Sequence, residues 1–509
     1  MIAEAASAIF ESWRRKPRDF DLLEKSVVRC RKQVSREKDP PIQDVINSNI
    51  TPILIEIMRT CATSHPDITL EAIWIITNIA SGSSAQTQYV IDIGALPVLK
   101  QLLANPKTDI VEQSVWCLGN IAGDSIISRD MIISLKISDS LIEFSSTSQP
   151  IILRRNTMWL ISSLCRQQPK PAIESMSPYL QVIAASLKQG KAEDREVLCE
   201  ALWALSNISE ISVDDRQVIF DTPSLVDHLV RALLLDDDVG HLIATAASRA
   251  IGNLLRGTEV QLQAMCDAGA ITALGNMLLS RRSTQAYQPL SVFASLVALD
   301  PPRLDVLRQI FDQLIVLMSG PRLADRSARG CEELFLDGIR RLSRDQLMEL
   351  MVGIPLPLAL SLLVPYSIVT VRARVALDCL ISKVGMKACV EFVVRSKDER
   401  YNAIRSRDTI DALMSATNDG PDPSGWVTLL IAHGCKASPT SMARIRVREI
   451  DVITILVSRS VVSRIRHPTV WLPKDLWRSF VEFYVAPWTV SNSNHVEPSD
   501  DEDENSDDE

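Results

Sequence analysis

Four helix-length stretches repeat the same pairing of side chains: Trp74 with Asn78, Trp116 with Asn120, Trp159 with Ser163, and Trp203 with Asn207. Successive tryptophans are 42, 43 and 44 residues apart. Residues four apart on an α-helix lie one above the other on one face. Repeated once per structural unit, such a pair builds two parallel ladders. Indoles offer flat slots that accept the aliphatic stems and cationic heads of Lys and Arg. Carboxamides offer donors and an acceptor on every rung, which suits the backbone of an extended peptide. A tryptophan on an apolar helix face is, taken alone, more often a core residue. Asparagine is unfavourable inside a helix and seldom sits there without a task, so the pairing favours a peptide-binding groove.

No Gly-rich phosphate loop, no metal-spaced cluster and no Ser/His/Asp constellation accompanies the ladders. Neither an enzyme nor a cofactor or metal site is therefore expected. The ten cysteines are scattered without a CxxC and read as reduced core residues of an intracellular protein. Residues 61–260 hold 23 acidic against 15 basic side chains, and the last ten residues hold eight acids. Acidity on the Trp/Asn units argues for a basic partner and against direct contact with nucleic acid.

The elements that position the ladders follow from a period of 42–44 residues, the mark of a helical solenoid whose units bury their apolar faces only by stacking. Leu70–Ala80, Gln86–Ile93 and Leu96–Ala104 read as three successive helices. Gly94 sits between the second and third as a left-handed cap, and Gly269 repeats it. Ile110–Ala122, Ile151–Cys165 and Val197–Ser209 restate the Trp helix. Leu242–Leu255 is a fifth version that keeps Arg249, Gly252 and Asn253 without the Trp. Three helices per unit predict an all-α, right-handed armadillo-repeat superhelical solenoid. The uncharged run Met351–Val371 carries Pro355, Pro357 and Pro365, so two helices around a break are expected there and no membrane span.

Four stretches resemble the importin-α family: Lys32–Ile46, Thr77–Gly82, Val115–Asp124 and Ala250–Asn253, within a likeness spanning about residues 25–280. The resemblance implies that the third helix of each repeat lines a concave groove holding an extended basic peptide, such as a nuclear-localisation signal. Carried over by motif, the major pocket uses Trp74, Asn78, Trp116, Asn120, Asn156 and Trp159. Ser81, Gly82 through its carbonyl, Thr87 and Asp124 match the surroundings of the most selective lysine, with Asp124 supplying the charge. Gln113 matches a position near a further basic side chain, and Glu200 an acidic groove residue one turn before Trp203, whose rung is completed by Asn207.

Three departures qualify the resemblance. Ser163 stands where the family has Asn, so one backbone clamp is weaker. Arg249 and Asn253 remain of the family's minor groove, but Phe293 and Val297 occupy the next Trp and Asn positions. The long Lys/Arg-rich N-terminal segment that binds importin-β has only Arg14-Arg15-Lys16-Pro17-Arg18 in its place, so the resemblance does not carry importin-β over as a partner. The expected domains are an N-terminal segment (1–23), armadillo repeats (24–320, groove 67–260), degraded helical repeats with a helical cap (321–490) and a disordered acidic tail (491–509). The expected function is an adaptor of nuclear import, active in cytoplasm and nucleus, that binds cargo bearing Lys/Arg-rich peptides. The alternative is a scaffold of the same descent serving one dedicated partner.

Overall fold

The computed structural model describes residues 2–235, 240–279, 287–318 and 325–353, together with 379, 380 and 382–384. Its contacts divide the chain into two compact units, Met1–Ile354 and Pro355–Glu509. The first unit thus continues past residue 320, where the sequence suggested a boundary. The loop at 418–425, Trp471, Trp477, Trp488 and the acidic tail lie outside the described residues, as does most of the uncharged run after Met351. Among the described residues no helix is long and apolar enough to cross a membrane, and there is no strand.

Helices α1 (Ile2–Arg14) and α2 (Phe20–Val34) open the unit. Triplets follow: α3 (Ile42–Asn47), α4 (Thr51–Thr60) and α5 (Pro66–Ala80), then α6 (Ser84–Asp92), α7 (Ala95–Leu102) and α8 (Thr108–Asp124). The next are α9 (Ile126–Ser134), α10 (Ser138–Phe144) and α11 (Ile151–Arg166), then α12 (Ile173–Met176), α13 (Leu180–Gln189) and α14 (Arg195–Ile208). Two more triplets are α15 (Gln217–Asp221), α16 (Leu225–Ala232) and α17 (Gly240–Leu254), and α18 (Glu259–Asp267), α19 (Ala270–Leu279) and α20 (Tyr287–Val297). Helices α21 (Leu304–Met318), α22 (Asp325–Arg341) and α23 (Arg344–Gly353) complete the described part.

The first helix of a unit starts on polar caps. Ser83 and Gln86 form a reciprocal capping box at α6, and Thr258 and Gln261 form another at α18, satisfying amides that the first turn leaves bare. The joint between first and second helices needs a left-handed residue. Gly94 (φ +83°) and Gly269 (φ +81°) supply it as expected, but Asn49, Lys136 and Ser224 occupy the same joint in other units with φ of 56°, 56° and 58°. A side chain with a Cβ pays about 1–2 kcal/mol in that region. Lys136 is exposed, so Lys136→Gly is expected to raise stability by about 0.5–1 kcal/mol, after the entropy that Gly loses on folding. A denaturant midpoint displaced upward at unchanged slope is the readout.

The core runs along the third helices. Ile73, Ile76, Val115, Leu118, Leu160, Ile161, Leu202 and Leu205 are fully buried, and α2, α5, α8, α11, α14, α17 and α20 pack each on the next. Each helix therefore buries residues on two flanks and leaves one narrow stripe open. Six of the eight described cysteines are buried. Burial pushes the thiols of Cys30, Cys117 and Cys165 up to about 12, which keeps them protonated and unreactive.

Candidate peptide-binding groove

The open stripe of each third helix carries the ladder. On α5 it comprises Glu71, Trp74, Asn78 and Ser81; on α8, Glu112, Trp116, Asn120 and Asp124. Trp116 is 42 % exposed, and Trp74, Trp159 and Trp203 are half-buried. Such exposure in the middle of a packed layer sets these indoles apart from core tryptophans. Gly119 makes the central slot possible: a Cβ there would lie 2.2 Å from Cζ3 and 2.6 Å from Cε3 of Trp159. The Trp159 ring therefore lies directly on the α8 backbone, beside Trp116.

Between these two indoles opens a cavity of about 490 Å³, lined by Trp116, Asn120, Asn156, Trp159 and Glu200, with Arg155, Arg195, Glu196 and Cys199, and closed by Leu242 and Ile243 of α17. Five of the residues expected from sequence thus meet in one place. Glu200 is half-buried. Its Oε2 has no hydrogen-bond partner among the described residues, and burial pushes its carboxyl above the usual range. A cation entering the cavity would favour the ionised form. Asp124, half-buried where α8 ends, is likewise without a hydrogen-bond or ion-pair partner among the described residues. Truncating the exposed indole, Trp116→Ala, is expected to weaken a basic ligand by about 1–3 kcal/mol, measured by titration, with little change in the thermal midpoint.

Other rungs are already in use. The Arg31 guanidinium lies 4.5 Å from the centre of the Trp74 ring and donates to both carboxylate oxygens of Glu71, at 2.7 and 3.3 Å. Asn78 spends its amide hydrogens on the Trp74 carbonyl and the Ser35 hydroxyl. Asn120 donates to the Thr77 carbonyl at 3.2 Å. Arg155 donates to both oxygens of Asp194, at 3.0 and 2.7 Å, and pairs with Glu196. That contact holds Arg155 above its usual pKa. At Asp194, burial pushes upward, and Arg155 together with the α14 amides outweighs it to bring the carboxyl down.

Several carried-over positions are committed to the core. Gln113 is buried and donates to the Thr77 hydroxyl at 2.9 Å. Thr87 is buried with its hydroxyl on the Ala80 carbonyl at 3.0 Å. Ser163 is buried. Ser81 is exposed but donates back to the Asn78 carbonyl, and Gly82 is exposed at the end of α5. Asn207 is buried, with its amide on the Trp203 carbonyl. Arg249 pairs with Glu210, and Asn253 donates to the Ser206 carbonyl and the Ser209 hydroxyl. Phe293 and Val297 are buried in α20, so that helix offers no indole–amide pair. At the other end, Arg15 pairs with Asp19 and Arg18 lies over Trp13; the short basic cluster is folded onto α1 and the turn to α2.

The stacked triplets and the open stripe of their third helices define an armadillo-repeat protein. The family model for the armadillo/beta-catenin-like repeat matches residues 38–81 and 83–123. The crystal structure of an engineered protein, 18% identical, superposes with a TM-score of 0.56 over 82% of this chain and 99% of its own, which is a likeness of fold. Within this class its sequence is similar to importin subunit alpha proteins. It is 34% identical over 251 residues to importin subunit alpha-1b of Oryza sativa subsp. japonica and 36% identical over 251 residues to importin subunit alpha-3 of Arabidopsis thaliana. Each match covers 49% of this chain and 45% of the relative, so the chain spans about half the length of the curated relatives it matches.

Proposed function

We propose that this protein is a non-enzymatic adaptor that binds extended Lys/Arg-rich peptides along the third helices α5, α8, α11 and α14. The observation that carries this reading is the Trp116–Trp159 cavity with the Glu200 side chain in its lining, together with Asp124, without a partner among the described residues, at the end of α8. A lysine stem fills an indole slot at little desolvation cost, and its ammonium then finds the Asp124 carboxylate, which pairs with no described group. The likeness to importin subunit alpha proteins supports cargo of the nuclear-localisation type and a working life in both cytoplasm and nucleus. A second reading, a scaffold for one dedicated partner, draws support from Arg31 over Trp74 and from the engagement of Asn207, because fewer free rungs narrow the range of acceptable ligands.

The test is fluorescence polarisation of a labelled Lys-Lys-Lys-Arg-Lys peptide against the purified protein, with an all-alanine peptide as control. Binding at micromolar or better, about −8 kcal/mol, that weakens as salt rises is the expected result. Absence of binding at low salt would overturn peptide recognition by this groove.

A further inference from the structure

The loop that follows α11 behaves as a piece of bound peptide. Lys170, only 7 % exposed at its side chain, directs its ammonium into a cage of four oxygens. It donates to the carbonyls of Cys165 at 3.2 Å and Arg166 at 2.9 Å, where α11 ends. It also donates to Oδ1 of Asn207 at 3.1 Å and lies 3.1 Å from Oε2 of Glu210, beyond α14. The loop is anchored independently of that lysine. Arg129, 1 % exposed, donates to the carbonyls of Gln167 at 3.1 Å and Pro169 at 2.9 Å. Gln167 in turn donates to the Gly123 carbonyl at 3.1 Å.

The two carboxylates stand at like positions in the repeat: Asp124 eight residues after Trp116, where α8 ends, and Glu210 seven after Trp203, just beyond α14. Helix carbonyl ends carry negative partial charge, so both favour an ammonium. Burial lowers the pKa of Lys170 while Glu210 raises it, the net shift being downward. At Glu210 burial pushes up, and Lys170 with Arg249 more than offsets it. The lysine is thus held by its four acceptors at the expense of its hydration.

We propose that Lys170 is a built-in ligand of this groove, closing a second lysine subsite on α11 and α14 and restricting external ligands to a single short basic cluster at α5–α11. Third helices packed about 8–10 Å apart place this subsite two helices beyond the Asp124 site. An extended strand rising about 3.3 Å per residue covers that distance in about five or six residues. A ligand whose second basic cluster falls there meets an occupied site.

This inference rests on the proposed peptide groove, and two measurements separate their fates. Lys170→Ala removes the stem and head of the lysine and leaves a space that n-propylammonium matches atom for atom. Millimolar n-propylammonium is expected to raise the Tm of Lys170→Ala by a few degrees, with no effect on the unsubstituted protein and none from tetramethylammonium, which cannot donate. Lys-Lys-Lys-Arg-Lys and the same peptide with an added lysine pair about six residues to either side are then titrated against both proteins. The extension is expected to gain less than threefold in the unsubstituted protein and tenfold or more in Lys170→Ala, with Lys170→Arg keeping the site closed. Tm rescue without a gain from extension would mean a structural cage off the ligand path and would overturn the proposal, as would equal gains in both proteins. Failure of the short peptide to bind any of them would instead overturn the groove itself, and the subsite with it.

Discussion

Asp124→Lys is expected to abolish binding of a short basic peptide while leaving the protein as stable as before, or slightly more so. The two effects separate because of where Asp124 lies. It terminates α8, where the helix dipole favours a cation by a few tenths of a kcal/mol, and its carboxylate holds no partner whose loss would cost stability. A lysine there also reverses the charge facing a ligand ammonium. Unit charges about 4 Å apart at an effective dielectric near 20 exchange about 4 kcal/mol. Asp124 is half-buried, and solvent screens part of that, so a loss of about 2–4 kcal/mol is expected, a weakening of about thirty- to a thousandfold. Asp139→Lys makes the same change of net charge on α10, off the groove stripe, and is the control. If both variants weaken binding equally, the protein attracts basic peptides by its overall charge, and the site at Asp124 is wrong.

The second large effect concerns Gly119. Alanine is the better helix former by about 0.8–1 kcal/mol, so on propensity alone Gly119→Ala should stabilise α8. Its methyl would fall 2.2 Å from Trp159, and the indole has to leave its seat. Overpacking of this kind costs about 1–3 kcal/mol, and the displaced ring takes one wall of the central slot with it. The expected outcome is a lower Tm together with at least tenfold weaker peptide binding. Gly123→Ala, on the same helix, is the matched comparison, because nothing lies within 4 Å of a Cβ there. It should raise Tm by the propensity difference alone. Opposite signs at two glycines one turn apart would identify the indole contact as the cause; the same sign at both would dismiss it.

The ladder was legible in the sequence because Trp and Asn recur at the period of the fold, and a period survives without knowledge of distant contacts. Its trimming was not. Arg31 meets Glu71 across 40 residues, and Lys170 meets Asn207 across 37. Arg31 stands 43 residues before Trp74, at the Trp position of α2, but its residue type hides that register, and Lys170 stands at no repeated position. Gln113 and Thr87 show the opposite case. Their motif positions place them beside the groove, and the structure buries both, Gln113 on the Thr77 hydroxyl and Thr87 on the Ala80 carbonyl. The helix joints divide the same way. Gly94 and Gly269 announce a left-handed residue by type, and Asn49 is of a type that tolerates it, whereas Lys136 and Ser224 adopt that geometry without such a preference.

Asn78 gives the groove a polarity of reading. Its nitrogen already donates to the Trp74 carbonyl and the Ser35 hydroxyl, so its oxygen is the group left without a partner among the described residues. A chain crossing that rung is sensed through an amide hydrogen and never through a carbonyl. Proline or an N-alkylated residue is therefore mute at this one register. The groove carries a reading frame set by its own backbone contacts, independent of where the ligand's charges fall.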